Sequence, residues 1–267
     1  LALRQSPPVY LELKKIYRQS EADFIQILNN VRNNNTTPAD LERLHQYYKP
    51  GFEPPKEENF IVLTTHNARA DQINRQELEK LPGKLSAFEG ELTGDFNERA
   101  LPAEKTLKLK PGAQIMFTKN DKGEVRRYYN GKIGTISRIA GDKIYVKFPG
   151  DDHELLLEKE TWKNIRYNYN KEKDNIEEEE LGAFTQYPLR LAWAITIHKS
   201  QGLTFTKAII DAGASFAPGQ VYVALSRLTS LNGLVLYSRI QPQCIHTDQR
   251  VLNFAQSENS EEEMQEQ

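Results

Sequence analysis

Apolar residues along the chain change their spacing several times, and each change marks an element. Phe24, Ile27, Leu28 and Val31 recur at the i, i+3, i+4, i+7 spacing of one helix face, with Ser20 as candidate N-cap and the 33–38 stretch as terminator. Ahead of that helix, YLEL at 10–13 alternates as a short strand. A second short helix is predicted over 39–47, followed by the Pro- and Gly-rich loop KPGFEPPKEEN. FIVLT at 60–64 is a continuous apolar run of strand length, the pattern of a strand buried on both faces. The turn THN follows it, with Asn67 as candidate N-cap of a helix that turns Ala70, Ile73 and Leu78 inward.

From 107 to 166 the chain becomes a series of short strands: AQIMFT, GKIGTISRI, KIYVKF and HELLLE, separated by NDKG, NGK, AGDK and PGDD. Such spacing predicts a small antiparallel barrel or sandwich. After the acidic run IEEEE at 176–180 the alternation of helices and buried strands resumes. AWAITIHKS is predicted as a short helix, KAIID as a buried strand, GQVYVALSR as a helix and GLVLYS as a strand. The pattern is that of an α/β domain with a parallel sheet, interrupted by an all-β insert. The expected segments are 1–106 and 167–245 for the α/β domain and 107–166 for the insert. An acidic tail at 246–267 is too poor in apolar residues to pack.

Composition narrows this picture. Charged residues make up 27% and apolar residues 38% of the 267, with a formal net charge of −2, which suits a globular domain and leaves room for a local basic groove. Cys244 is the single cysteine, so no disulfide forms within the chain and a reducing, cytoplasmic compartment is expected. The five histidines have no metal-ligand spacing, and no structural metal is predicted. No apolar run reaches the roughly 20 residues that span a bilayer. The start, LALRQSPPVY, has neither an initiating methionine nor a signal-peptide pattern and reads as the interior of a longer protein.

Five polar sets could carry chemistry. Arg18 in IYRQ ends a predicted strand and either holds a phosphate or pairs with Glu21. Thr65 and Asn67 lie where a strand meets a helix N-terminus, a place for phosphate binding or for simple capping. In AITIHKSQGLTF, Thr196, His198, Lys199 and Ser200 combine hydroxyls, a ring and a cation, as a single nucleic-acid strand requires, and Gly202 permits close backbone approach. The alternative is a solvated helix end. Arg227, after GQVYVAL, either offsets a helix dipole or serves as an arginine finger. In RRYYNGKIG, Arg126, Arg127, Tyr128 and Lys132 interleave basic and aromatic residues, suited to single strands or to ordinary edge packing.

In this order the motifs resemble the second motor domain of superfamily 1 helicases, most closely the Pif1/RecD-like group. IYRQ looks like the family's motif IV, AWAITIHKSQGLTF like motif V and VYVALSR like motif VI, and the β-rich stretch sits where that group carries an SH3-like 2B insert. The resemblance implies a RecA-like fold, with Arg18 and Arg227 reaching the γ-phosphate of ATP. It also implies that Gly202 lies near the nucleotide, with Gln201 beside it, and that Thr196, His198, Lys199 and Ser200 touch single-stranded DNA. The UvrD-like relatives carry an acid after the glycine-leucine pair, where this chain has Thr204.

No G-x-x-x-x-G-K-[ST] motif occurs, and no apolar strand ends in the Asp-Glu pair that would hold Mg2+. ATP and Mg2+ are therefore expected to bind mainly on an N-terminal RecA-like domain of the same polypeptide. This chain alone is expected not to hydrolyse ATP. The resemblance implies ATP-dependent 5′ to 3′ travel on DNA. The rival reading is a non-catalytic nucleic-acid-binding module that acts through the β insert.

Overall fold

The computed structural model describes residues 16–171, 173–211, 217–251 and 253. The expected strand at 10–13 and the tail sequence SENSEEEMQEQ lie outside the described residues. The chain divides into two compact units, one of 1–53, 62–65 and 196–267, the other of 54–61 and 66–195.

The first unit, taken with residues 61 and 194–195 that complete the strands of its sheet, is α/β. Helix α1 (Ala22–Arg32) buries Phe24, Ile27, Leu28 and Val31, the stripe expected from spacing. Its N-cap is Glu21 rather than Ser20, and no side chain caps the helix. Helix α2 (Pro38–His45) opens on a capping box in which Thr37 and Asp40 satisfy each other's backbone N–H groups, with Pro38 in the first turn. Strand β1 (Ile61–Thr64) is buried at every position. It belongs to a four-stranded sheet in the order β12-β1-β13-β14, where β12 is Ala194–Thr196, β13 is Ala208–Asp211 and β14 is Leu234–Leu236. β13 and β14 pair in parallel. After Gly219, which adopts a left-handed φ of 78°, the short helix α4 (Gln220–Leu225) packs against α1. Phe24, Leu225 and Leu236 are fully buried, and each such side chain contributes roughly 1.5–3 kcal/mol.

One element differs from its expected type. AWAITIHKS is not a helix: its apolar part is strand β12 and its polar part a series of tight turns. The run AITI lacks the i, i+4 alternation that a helix on a core needs. It has instead the unbroken apolar, β-branched character of FIVLT, which packs as a buried strand.

The second unit starts with helix α3 (Asn67–Lys80), whose N-cap is His66, so Asn67 is the first helical residue and not the cap. Ala70 and Leu78 are buried and Ile73 is half-buried. Strands β2 (Ser86–Glu89) and β4 (Thr106–Leu109) form a two-stranded sheet. β5 (Gln114–Phe117), β6 (Ile133–Ala140), β7 (Lys143–Lys147), β8 (Glu154–Leu157) and β11 (Leu189–Leu191) form an antiparallel five-stranded sheet in the order β11-β5-β6-β7-β8. Leu107, Leu109, Ile115, Phe117, Ile136 and Ile144 fill its core. The four strand segments expected from sequence are present, and β11 from beyond the acidic run completes the sheet.

A third sheet joins β3 (Glu91–Gly94), β9 (Glu160–Asn170) and β10 (Asn175–Gln186), and the acidic run IEEEE lies within β10. Gln186 is fully buried and ties the end of β10 to β2 and to the segment before β4, donating to the carbonyls of Phe88, Glu104 and Lys105 while its Oε1 accepts from Tyr187 N–H.

Candidate functional site

Three segments distant in sequence meet in the first unit. The main chain at 203–205 runs beside that at 227–229: Phe205 N–H donates to Arg227 O at 2.9 Å and Thr229 N–H to Phe205 O at 3.1 Å. Arg18 and Gln19 bridge onto both. Arg18 Nε donates to Thr204 Oγ1 at 2.8 Å and Nη1 to Ser226 O at 2.9 Å. Gln19 is buried, and its Nε2 donates to Ser226 O at 3.2 Å and Leu228 O at 2.7 Å.

Helix α4 ends at Leu225, which places Arg227 just beyond its last turn. Its guanidinium donates from Nε to Val223 O at 3.1 Å, from Nη1 to Leu203 O at 3.4 Å and from Nη2 to Ser226 Oγ at 2.8 Å. The helix C-terminus thus orients Arg227 through a carbonyl without neutralising it.

Every described acceptor of these two arginines is a carbonyl or a hydroxyl. Neither makes an ion pair among the described residues. Glu21, the acid closest in sequence to Arg18, accepts from Leu231 N–H instead. Partial burial, and then the nearby positive charge of Arg18, push the Arg227 guanidinium below its ordinary value. Two cations held close together with no carboxylate repel each other, and the arrangement gains from an anion that both can reach. Each guanidinium carries five N–H donors, and both retain donors unused by the described residues.

The motif V residues separate into two groups. Thr196 and Ser200 are buried. Thr196 Oγ1 accepts from Lys199 N–H at 3.3 Å, and Ser200 Oγ donates to Ile197 O at 2.7 Å. These hydroxyls build the turn and are not presented to a strand. His198, Lys199, Gln201 and Gly202 are exposed. Gly202 sits at φ 82°, a left-handed conformation that any other residue would strain, and the space where a Cβ would project is open. Thr65 is half-buried at the end of β1, and Asn67 is exposed in the first turn of α3.

The basic-aromatic set of the second unit is mostly engaged inside the protein. Tyr128 is buried and stacks on Phe117 with ring centroids 4.1 Å apart, and its hydroxyl is pushed up to about 12, by burial first and Asp121 next. Arg127 forms a two-pronged pair with Asp121 at 2.7 and 3.1 Å. Lys132 lies 3.6 Å over the Phe148 ring and donates to Arg127 O at 2.7 Å. Of the four, Arg126 alone is exposed without a described partner. Of the two readings of this string, packing describes the buried Tyr128, while Arg127 and Lys132 have partners within the protein and remain exposed and half-buried, respectively.

Sequence reasoning missed Gln19 and Ser226, whose groups join the segments. Both are polar and buried, and neither stands at a spacing that reveals its partner. The adjacency of Gln19 to Arg18 and of Ser226 to Arg227 was the only signal of their role.

No protein-family profile matches the chain. Curated relatives do. The chain is 32% identical over 260 residues to ATP-dependent DNA helicase PIF1 of Homo sapiens, covering 92% of this chain and 37% of that protein. It is 31% identical over 242 residues to ATP-dependent DNA helicase Pif1 of Bdellovibrio bacteriovorus, covering 89% of this chain and 52% of that protein. Among solved structures, Pif1 of Bacteroides sp in complex with ADP-AlF4 superposes with a TM-score of 0.87 at 36% identity, covering 98% of this chain and 59% of that one. Bacteroides Pif1 bound to ssDNA superposes with a TM-score of 0.65 at 37% identity, covering 92% and 56%. The chain thus spans 37–59% of the length of these relatives. Its parallel sheet and antiparallel insert are those of a RecA-like domain with an all-β insertion. Sequence and structure together place the chain in the Pif1-like family of superfamily 1 helicases.

Proposed function

We propose that this chain is the second motor half of an ATP-dependent DNA helicase. In this reading Arg18 and Arg227 are arginine fingers for ATP held on another RecA-like domain of the same polypeptide. The observation that carries it is the convergence of these two guanidinium groups, each fixed by neutral acceptors and neither neutralised. The first unit is read as motor domain 2A and the five-stranded sheet as the SH3-like insert. Gly202 and Gln201 are placed beside the nucleotide, and the exposed His198 and Lys199 beside single-stranded DNA, with Thr65 and Asn67 as further contacts.

Mg2+ would neutralise phosphate charge during the reaction. The proposal assigns that ion mainly to the N-terminal RecA-like domain, because no apolar strand of this chain ends in an Asp-Glu pair. No described helix is long and apolar enough to cross a membrane.

The fork of Arg227, oriented by Val223 O, Leu203 O and Ser226 Oγ, would meet the γ-phosphoryl oxygens as charge develops on them. Arg18, held by Thr204 and Ser226 O, would contact the same group. Both attractions exist with ATP and vanish once the γ-phosphate leaves, so they favour closure in one nucleotide state only. The segment 196–205 links that event to DNA, because its turn presents His198 and Lys199 while its far end holds Arg18 through Thr204. Travel is assigned 5′ to 3′.

The test is Arg227→Ala in the full-length polypeptide. ATP turnover is expected to fall about a thousandfold while ATP binding is retained. Wild-type turnover would remove the arginine-finger role.

A further inference from the structure

The acidic run 177–180 has no part in the motor reading, and its surroundings are unusual. β9 and β10 form a long antiparallel hairpin in which β3 pairs with β10 only at 182–185. A bulge between Glu180 and Gly182 separates that base from the rest. Beyond it the hairpin is two-stranded, and such ribbons are marginal unless a face is covered.

Its two faces differ sharply. Arg166, Asn168, Asn170, Glu177 and Glu179 share one face and satisfy one another. Asn168 donates to Glu179 at 3.0 Å and Asn170 to Glu177 at 2.9 Å, while Lys173 pairs with Glu177 at 2.9 Å. On the other face the register sets Tyr169 opposite Ile176, Tyr167 opposite Glu178 and Ile165 opposite Glu180. Tyr167, Tyr169 and Ile176 are 64%, 60% and 67% exposed. Glu180 pairs with Lys163 at 2.7 Å, and Glu178 makes no direct ion pair among the described residues but lies near enough to the same lysine to act on it. Two carboxylates, Glu178 and Glu180, share the single cation Lys163 here, and an apolar patch beside such a net negative charge repels phosphate and complements apolar side chains flanked by cations.

We propose that the Tyr167, Tyr169 and Ile176 face of this hairpin is a docking surface for a protein segment of alternating apolar and basic residues. The apolar side chains would cover the two tyrosines and Ile176, and a lysine or arginine would meet Glu178. The tyrosines suit this role, being large, stiff and tolerant of water when unoccupied. None of its residues is among those read as arginine fingers, nucleotide contacts or strand contacts.

The test uses the full-length protein and a labelled peptide of alternating lysine and valine about ten residues long. The peptide is expected to bind wild type, and about tenfold more weakly to Tyr167→Ser/Ile176→Ser. Glu178→Lys, which leaves the apolar residues in place, is expected to weaken binding and flatten its salt dependence. ATP turnover should be unchanged in these variants. No binding by wild type would overturn the proposal, as would equal binding by the variants or by a glutamate-valine peptide. Self-association or single-stranded DNA binding lost in the double variant would assign the face to a second copy or to nucleic acid, and would overturn it equally.

Discussion

Arg227, after an apolar helix, and Arg127, in a basic-aromatic string, each donate several hydrogen bonds through the guanidinium. Their acceptors separate them. Arg127 is matched by the carboxylate of Asp121, itself buried, which neutralises it where it stands. Arg227 is held by two carbonyls and a hydroxyl, and burial first, then the nearby second arginine, push its guanidinium down. Geometry is fixed in both cases, but charge remains available in only one. A cation held by neutral acceptors is pre-oriented for an anion from outside, whereas a cation held by a carboxylate is a structural fastener.

The largest effect expected from this contrast comes from exchanging each arginine for lysine in the full-length protein. Arg227→Lys keeps the charge and loses the fork, and ATP turnover should fall about a thousandfold, a barrier increase of about 4 kcal/mol. Arg127→Lys should leave turnover and single-strand affinity unchanged. Equal sensitivity of the two sites would break the comparison.

Next in size is Asp121→Ala, which leaves the backbone N–H of Arg127 and its guanidinium without their acceptor. Removing an acceptor of this kind costs about 2 kcal/mol, readable by urea denaturation. The same pair has a pH signature. Hydrogen bonds from Arg127 hold the Asp121 carboxyl down to about 2, below its ordinary value. The stabilisation is therefore complete above the unfolded-state value of about 4 and is lost as pH falls towards 2. Asp121→Asn should abolish that acid-side loss.

A smaller effect is expected at Thr204. Thr204→Val removes the acceptor of Arg18 Nε, and turnover should drop about fivefold, or about 1 kcal/mol, with Thr204→Ser restoring it. The smallest is His198→Ala. It should weaken single-strand binding about threefold at fixed salt, because one exposed ring is lost while the turn beneath it is held by Thr196 and Ser200. An unchanged affinity would detach His198 from the strand.

Much of the fold was legible because it follows from short-range pattern. The stripe of α1 and the runs of β1, β13 and β14 are local spacings that the core converts directly into burial. The strands of the five-stranded sheet were legible for the same reason, except that β11 lies far along the chain and declares itself only by pairing with β5. The segment 192–200 misled because its dense polar residues resembled a helix end. In the structure the polar density is a strand leaving a sheet and turning sharply. The basic-aromatic string at 126–132 misled for a different reason: composition cannot tell whether a cation faces solvent or an acid such as Asp121.

The amino-acid sequence by itself determined that an α/β domain carries an all-β insertion, and which residues are able to bind phosphate or a strand. It does so because periodicity and turn chemistry are local, and because guanidinium groups, hydroxyls and glycines have fixed capacities. Only the tertiary structure decided which of those capacities remain available. Arg18 meets Thr204 and Ser226 across separations of 186 and 208 residues, and no local spacing encodes such a meeting. The same long-range packing that buries Ser200 leaves His198 exposed, and leaves Arg227 charged and unopposed where Arg127 is neutralised.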